Sequence, residues 1–272
     1  MSNFLSKEDY EEPQCLLQMK KSPETIPVRR VLDKLDTLLS KKDYTAAEEH
    51  LLYWQSEADR LGDQRGRLTI LNELIGLYRK TDQKDKGLSA AADALKLAAS
   101  LNMDNTVFLA TTYINAATAY KAFGKAADAL PLYRRAKEIY ENRLSPDDPR
   151  LAGLYNNMAM TLLELCEYRE TESLFRAALD ILSKQPNAQA DAAITYLNLA
   201  DLVAAERGTE DGEAQIEEYL TEAERLLDTE TLPHDGYYAF VCEKCAPVFG
   251  YYGFFLTALK YRKIAEEIYE RS

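Results

Sequence analysis

Asn115, Asn157 and Asn198 each follow a tyrosine by two residues, at Tyr113, Tyr155 and Tyr196. A carboxamide carries both a donor and an acceptor, so it can pair with a ligand's peptide group without demanding a particular side chain beside it. Asparagine is also a poor residue for a helix interior, by roughly several tenths of a kcal/mol relative to alanine, so three in register need a reason. Two reasons are open at this level. The amides form a ladder that faces a ligand, or they cap and bridge neighbouring helices.

A second candidate is Cys242-x-x-Cys245, since two thiols three apart on a helix can ligate a metal or form a redox couple. The chain has only two histidines, His50 and His234, and neither completes a tetrahedral set beside the pair. The two thiols fall instead on apolar packing positions, so the expectation is core, with no metal and no cofactor. The sequence holds no glycine-rich phosphate loop, no metal-binding histidine pair and no serine in a tight glycine-flanked turn. Carboxylates are many, as in "EDYEE", "AAEEH" and "EEYLTEAER", but they fall on solvent faces of helices. The chemistry expected of the chain is binding without catalysis.

The elements that must position these residues repeat. Leu109/Leu151, Tyr113/Tyr155, Asn115/Asn157, Ala117/Ala159, Tyr133/Phe175, Ala136/Ala178 and Ile139/Ile181 all pair at one offset of 42. A fixed period of that length marks a repeat array, in which each unit buries its apolar face against its neighbours. With 46% apolar residues, 29% charged residues and only 11 Gly and 9 Pro, the expected class is all-α. A net charge of −12 works against nucleic acid, whose phosphates are bound mainly by Lys and Arg. No apolar run approaches the roughly 18 to 20 residues needed to cross a bilayer, and the N-terminus lacks the layout of a secretion signal. The four cysteines are read as reduced thiols and the compartment as the cytoplasm.

Residues 1–27 are a partly ordered leader punctuated by prolines at 13, 23 and 27, with Leu16, Leu17 and Met19 as residues that could dock on the array. From Val28 the pattern divides into six helix pairs: 28–61, 63–101, 105–144, 149–182, 187–227 and 234–272. Alanine or glycine marks where two helices cross (Ala117, Ala159, Ala200 and Ala246 in first helices; Ala47, Gly87, Ala129 and Ala258 in second helices), and close approach of axes requires small residues there. Tyr113, Tyr120, Tyr133, Tyr155, Phe175 and Tyr196 are assigned to core packing.

The order Y-x-N-A-A-x-A-Y-x-x-x-G-x-x-x-x-A-x-x-x-Y-x-x-A from Tyr113 to Ala136 resembles the tetratricopeptide repeat. The 42-residue spacing and the Asp148-Pro149 entry are most similar to the long-helix repeats of kinesin light chains and their bacterial relatives. The resemblance departs at Cys166, where Gly is common, at Ile216, where a small residue is expected, and at Pro247 inside a helix. It implies a right-handed α-solenoid of about six helical hairpins that binds a peptide or protein segment on the concave face lined by first helices. It also implies that Asn115, Asn157 and Asn198 face that groove and hold a ligand backbone. Asn72, Asn156, Lys244 and Tyr251 supply side-chain contacts, and Thr69, Lys80, Thr111, Thr118, Met160, Asp201 and Phe240 flank them by helical spacing. The expected function is a non-enzymatic protein- or peptide-binding scaffold. The alternative is a regulatory sensor whose curvature changes when a short signalling peptide enters. The last helix carries Leu256, Leu259, Tyr261, Ile264, Ile268 and Tyr269 with no further helix to cover them, which points to a homodimer or a partner at that end.

Overall fold

The computed structural model describes residues 25–101 and 105–271, and these form twelve α-helices and no strand. They fall into two compact units that divide between Arg143 and Leu144. The first holds α1 (Val28–Ser40), α2 (Tyr44–Leu61), α3 (Gln64–Lys80), α4 (Lys84–Ser100), α5 (Val107–Ala122) and α6 (Ala126–Arg143). The second holds α7 (Pro149–Glu164), α8 (Tyr168–Ser183), α9 (Gln189–Arg207), α10 (Glu213–Leu227), α11 (Gly236–Tyr251) and α12 (Phe255–Arg271).

Short polar side chains start many of these helices by accepting from first-turn amides that have no partner within the helix. Asp43 accepts from Ala46 N, Thr106 from Leu109 N and Asp235 from Tyr237 N and Tyr238 N. Asp63 uses both oxygens. One accepts from Gly66 N at 2.8 Å, and the other from Ile26 N at 3.0 Å, which pins the chain entering α1 beside the start of α3. At Asp148-Pro149 the carboxylate accepts from Arg150 N at 3.0 Å, and proline occupies the first turn, where its missing N–H costs nothing.

Each hairpin turn contains a residue of positive φ: Lys42, Asp82 and Gly124 in the first unit, Cys166, Gly208 and Gly253 in the second. This explains why Cys166 departs from the repeat pattern. It occupies, at φ 62°, the left-handed position that glycine fills at Gly124 with φ 76°.

Within the first unit each helix packs against the next, and α3 also packs against α5. Within the second, α7 meets α8, α8 meets α9, α9 meets α10 and α11 meets α12, while α9 also packs against α7 and α11. The small residues predicted at crossings are buried: Ala47, Ala117, Ala129, Ala159 and Ala200 have no exposed surface. Gly87 is more constrained still, because a Cβ there would lie 2.6 Å from Cε2 of Phe123. Tyr133, Phe175, Tyr140, Tyr261 and Phe249 are the largest fully buried side chains. Pro247 lies inside α11 without interrupting it.

One expectation changes in part. Tyr261 and Ile268 of α12 face the core, while the expected Leu256 and Leu259 are uncovered together with Phe255, at 84%, 59% and 67% exposed. The leader residues Leu16, Leu17 and Met19 lie outside the described residues.

Candidate functional site

The asparagines sit on first helices: Asn72 on α3, Asn115 on α5, Asn156 and Asn157 on α7, and Asn198 on α9. The structure brings Asn72 and Asn115 together. Asn72 is buried, and its Nδ2 donates to Oγ1 of Thr112 on α5 at 3.0 Å. Its Oδ1 accepts from Nδ2 of Asn115 at 3.3 Å. Asn72 is therefore a bridge between α3 and α5 and not a surface contact, which corrects its assignment, because both ends of its amide are spent inside the seam. Asn115 is half-buried and keeps its Oδ1 free of any hydrogen bond among the described residues.

The α7–α9 seam repeats the first half of this pattern. Asn156 Nδ2 donates to Oγ1 of Thr195 on α9 at 2.9 Å. Its Oδ1 is buried and accepts nothing. Asn198 stands three residues after Thr195, as Asn115 stands three after Thr112. Asn157 and Asn198 are half-buried, and no hydrogen bond to either side chain is present among the described residues.

Lys244 and Tyr251 lie on α11. Lys244 is exposed, with Nζ 5.7 Å from the centre of the Phe240 ring, a distance at which the ring face attracts the ammonium. Tyr251 is 75% exposed and meets Tyr252 edge-on. Neither is brought into hydrogen-bonding contact with the asparagines.

Two of the expected flanking positions are interior, and a third is half-buried and paired within the fold. Thr111 has no exposed surface and shares a hydrogen bond with the Tyr140 hydroxyl at 3.0 Å. Thr69 is buried and turns back on its own helix, to Arg65 O. Thr118 is half-buried and paired with the Tyr133 hydroxyl at 2.9 Å. Asp201 is tied to α11, since it accepts from the Tyr252 hydroxyl at 2.8 Å. A second such bond joins the Tyr237 hydroxyl to Asp191. Burial pushes both carboxyls above the ordinary aspartate range, against the lowering effect of the phenol donors.

Sequence reasoning missed Thr112, Thr195 and the two tyrosine–aspartate pairs. The threonines carried a signal, Thr-x-x-Asn in both α5 and α9, and the pairs carried none, because spacings of 46 and 51 residues mark no local pattern.

Cys242 and Cys245 are buried in α11 and face the core. Burial pushes the Cys242 thiol up to about 11 and raises that of Cys245 as well, which favours the protonated form of both at neutral pH.

Comparison with known proteins bears on the fold. A family model described as "Tetratricopeptide repeat" matches residues 66–142. The chain is also similar in structure to the nearly identical tetratricopeptide-like repeats of a putative kinesin light chain from Podosopora anserina. The TM-score is 0.54 at 15% identity, covering 74% of this chain and 94% of that one. A single-substitution form of the same protein gives 0.55 at 16% identity, covering 76% and 97%. A Rap protein complexed with Competence and Sporulation Factor gives 0.53 at 16% identity, covering 90% and 75%. At these identities the likeness is one of fold, and the fold is an all-α array of tetratricopeptide-like hairpins. No curated protein matches the sequence. Among the described residues no helix is long and apolar enough to cross a membrane.

Proposed function

We propose that this chain is a non-enzymatic scaffold of the cytoplasm that binds an extended peptide or protein segment on its first helices, through Asn157 and Asn198 in the second unit, with Asn115 in the first unit as a binding position of its own. The observation that carries the reading is the unspent hydrogen-bonding capacity of these three amides. All are half-buried on first helices, Asn115 keeps a free Oδ1, and Asn157 and Asn198 have no partner among the described residues. A half-buried amide that no neighbour satisfies gains most from a ligand that brings its own peptide groups. Lys244 and Tyr251 add an exposed cation and an exposed ring on α11, suited to side-chain contacts.

The test is selection from a displayed library of random dodecapeptides. Peptides enriched on the wild-type chain are expected to lose at least about tenfold in affinity for a variant with Asn157→Ala and Asn198→Ala, the loss of one to two net hydrogen bonds. Circular dichroism should be unchanged. Equal binding to the variant removes the reading.

The sensor reading draws support from the Rap protein, which is similar in fold and is described as complexed with Competence and Sporulation Factor. A sensor changes its scattering profile when a selected peptide is added, and a rigid scaffold does not. Self-association belongs to the same proposal, through the strip of Phe255, Leu256 and Leu259. Sedimentation should show dimer at high concentration, and a strict monomer removes that part alone.

A further inference from the structure

Among the described residues, the first hairpin carries an apolar face that no helix covers. α1 buries Val31, Leu35 and Leu38, whereas in α3, which packs against α2, α4 and α5, burial runs unbroken from Leu68 to Asn72. On α2 the uncovered residues share one side. His50, Tyr53, Trp54 and Leu61 follow at helical spacing; Tyr53 is 59% exposed and the other three are half-buried. The Tyr53 and Trp54 rings meet edge-on at 5.2 Å. In α4, with Gly87 matched to Ala47, the positions of His50 and Trp54 hold Ala90 and Ala94, which are small and buried. The cause is where α1 begins. His50 Nε2 meets the Val31 carbonyl oxygen at 3.0 Å, and the helices of a hairpin run antiparallel, so α2 from Tyr53 onward passes the start of α1 at Val28.

The point where the chain enters the array selects what covers this face. Ile26 is buried, its N–H donates to Asp63 Oδ2 at 3.0 Å, and its side chain lies against Gly66, where an added Cβ would be 2.7 Å from Ile26 Cγ1. The chain therefore enters beside the C-terminal end of α2. Trp54 lies about 10 Å back along α2 from Leu61, and Met19, seven residues before Ile26, reaches up to about 25 Å from that anchor. Leu16, Leu17 and Met19 are the large apolar residues nearest to it in sequence. We propose that these three fold back onto α2 and cover Tyr53, Trp54 and Leu61, so that the leader closes the open side of the first hairpin. A segment tethered this closely meets the face at an effective concentration on the order of millimolar, which a second copy of the chain in dilute solution does not match. The docking concerns the first unit alone and is independent of the peptide-binding reading.

The experiment uses the full chain, whose only tryptophan is Trp54. A nitroxide is attached to Cys15 in a Cys166→Ser background, which removes the exposed thiol and leaves Cys242 and Cys245 buried. Trp54 emission should be weaker with the nitroxide than with its reduced hydroxylamine form, by the same ratio at every dilution. Leu16→Asp, Leu17→Asp and Met19→Asp together should abolish that loss. In unlabelled protein the same triple variant should shift Trp54 emission to the red and raise its quenching by acrylamide. Circular dichroism should stay unchanged, because the three residues lie outside the described helices. Tyr53→Ala, at an exposed position, should weaken the nitroxide effect from the other side of the contact. A nitroxide effect that disappears on dilution gives the face to a second copy and overturns the proposal. So does a Trp54 that responds identically to acrylamide in the wild type and the triple variant.

Discussion

The α3–α5 and α7–α9 seams use the same set of one threonine and two asparagines at nearly the same spacing, yet one is closed and the other is open. In the first, threonine, asparagine and asparagine form a continuous relay from Thr112 through Asn72 to Asn115. In the second the relay stops at Asn156, whose oxygen is buried and unpaired. The second unit compensates elsewhere. Its next seam, α9–α11, is held by phenol-to-carboxylate bonds at Tyr237–Asp191 and Tyr252–Asp201. Hydrogen bonds to charged groups are worth about twice those between neutral ones, so the same fold is fastened by different chemistry in its two units. The charge balance differs as well. Residues 28–143 carry 19 Lys and Arg against 16 Asp and Glu, while residues 144–272 carry 11 against 24. The second unit therefore supports most of the self-repulsion that net charge creates.

The largest expected effect breaks the stronger fastening. Tyr237→Phe together with Tyr252→Phe should cost about 2 kcal/mol each, because each leaves a half-buried carboxylate without its donor. Residue-resolved hydrogen exchange should show the loss in α9–α12 and leave α1–α6 unchanged. An equal loss in both units would show that the seams are not independent.

Next in size is the contrast between the asparagines themselves. Asn72→Leu strands Thr112 and Asn115 and should destabilise α3–α5 by about 1–3 kcal/mol, whereas Asn156→Leu removes one hydrogen bond, to Thr195, together with an oxygen that already lacks a partner, and should cost less, about 1 kcal/mol or below. Similar losses in the two variants would mean that Asn198 already closes the second relay.

A smaller effect concerns the entry to the second unit. Asp148→Ala should cost about 1 kcal/mol as a lost helix cap. The Arg150 side chain, assisted by the Arg150 backbone amide, holds the Asp148 carboxyl below its ordinary value of 3.8, against a smaller opposing effect of burial. Its folded pKa is thus depressed, so the contribution is present above that ordinary value and lost as pH falls through the folded one. Acid unfolding of the wild type should steepen below about pH 4 in α7, and the Asp148→Ala variant should lack that component.

The smallest effect compares the hairpin turns. Cys166→Gly should stabilise the α7–α8 turn by about 1 kcal/mol, and Gly124→Ala should destabilise the α5–α6 turn by about as much, because one removes and the other adds a Cβ at positive φ. Thermal or chemical denaturation of the two single variants measures both.

Much of this architecture was legible in order. The 42-residue offset, the alanines at crossings and the Asp-Pro entry all act locally or at a fixed period, and a periodic signal survives because every unit must solve the same packing problem. The candidate site was legible only as a set of positions. Asn72 and Asn115 both matched an asparagine pattern, and nothing in composition distinguishes an amide spent on a neighbouring helix from one left for a ligand. Thr111 was similarly misplaced, since a threonine facing the Tyr140 hydroxyl and one facing solvent have the same helical spacing.

The sequence by itself determined the helices, their turns and the repeat, because propensity, capping and small-residue spacing are properties of short segments. Only the tertiary structure decided which amides are consumed. That choice depends on partners 39 to 43 residues away, and a hydrogen bond across a seam exists only once the seam is formed.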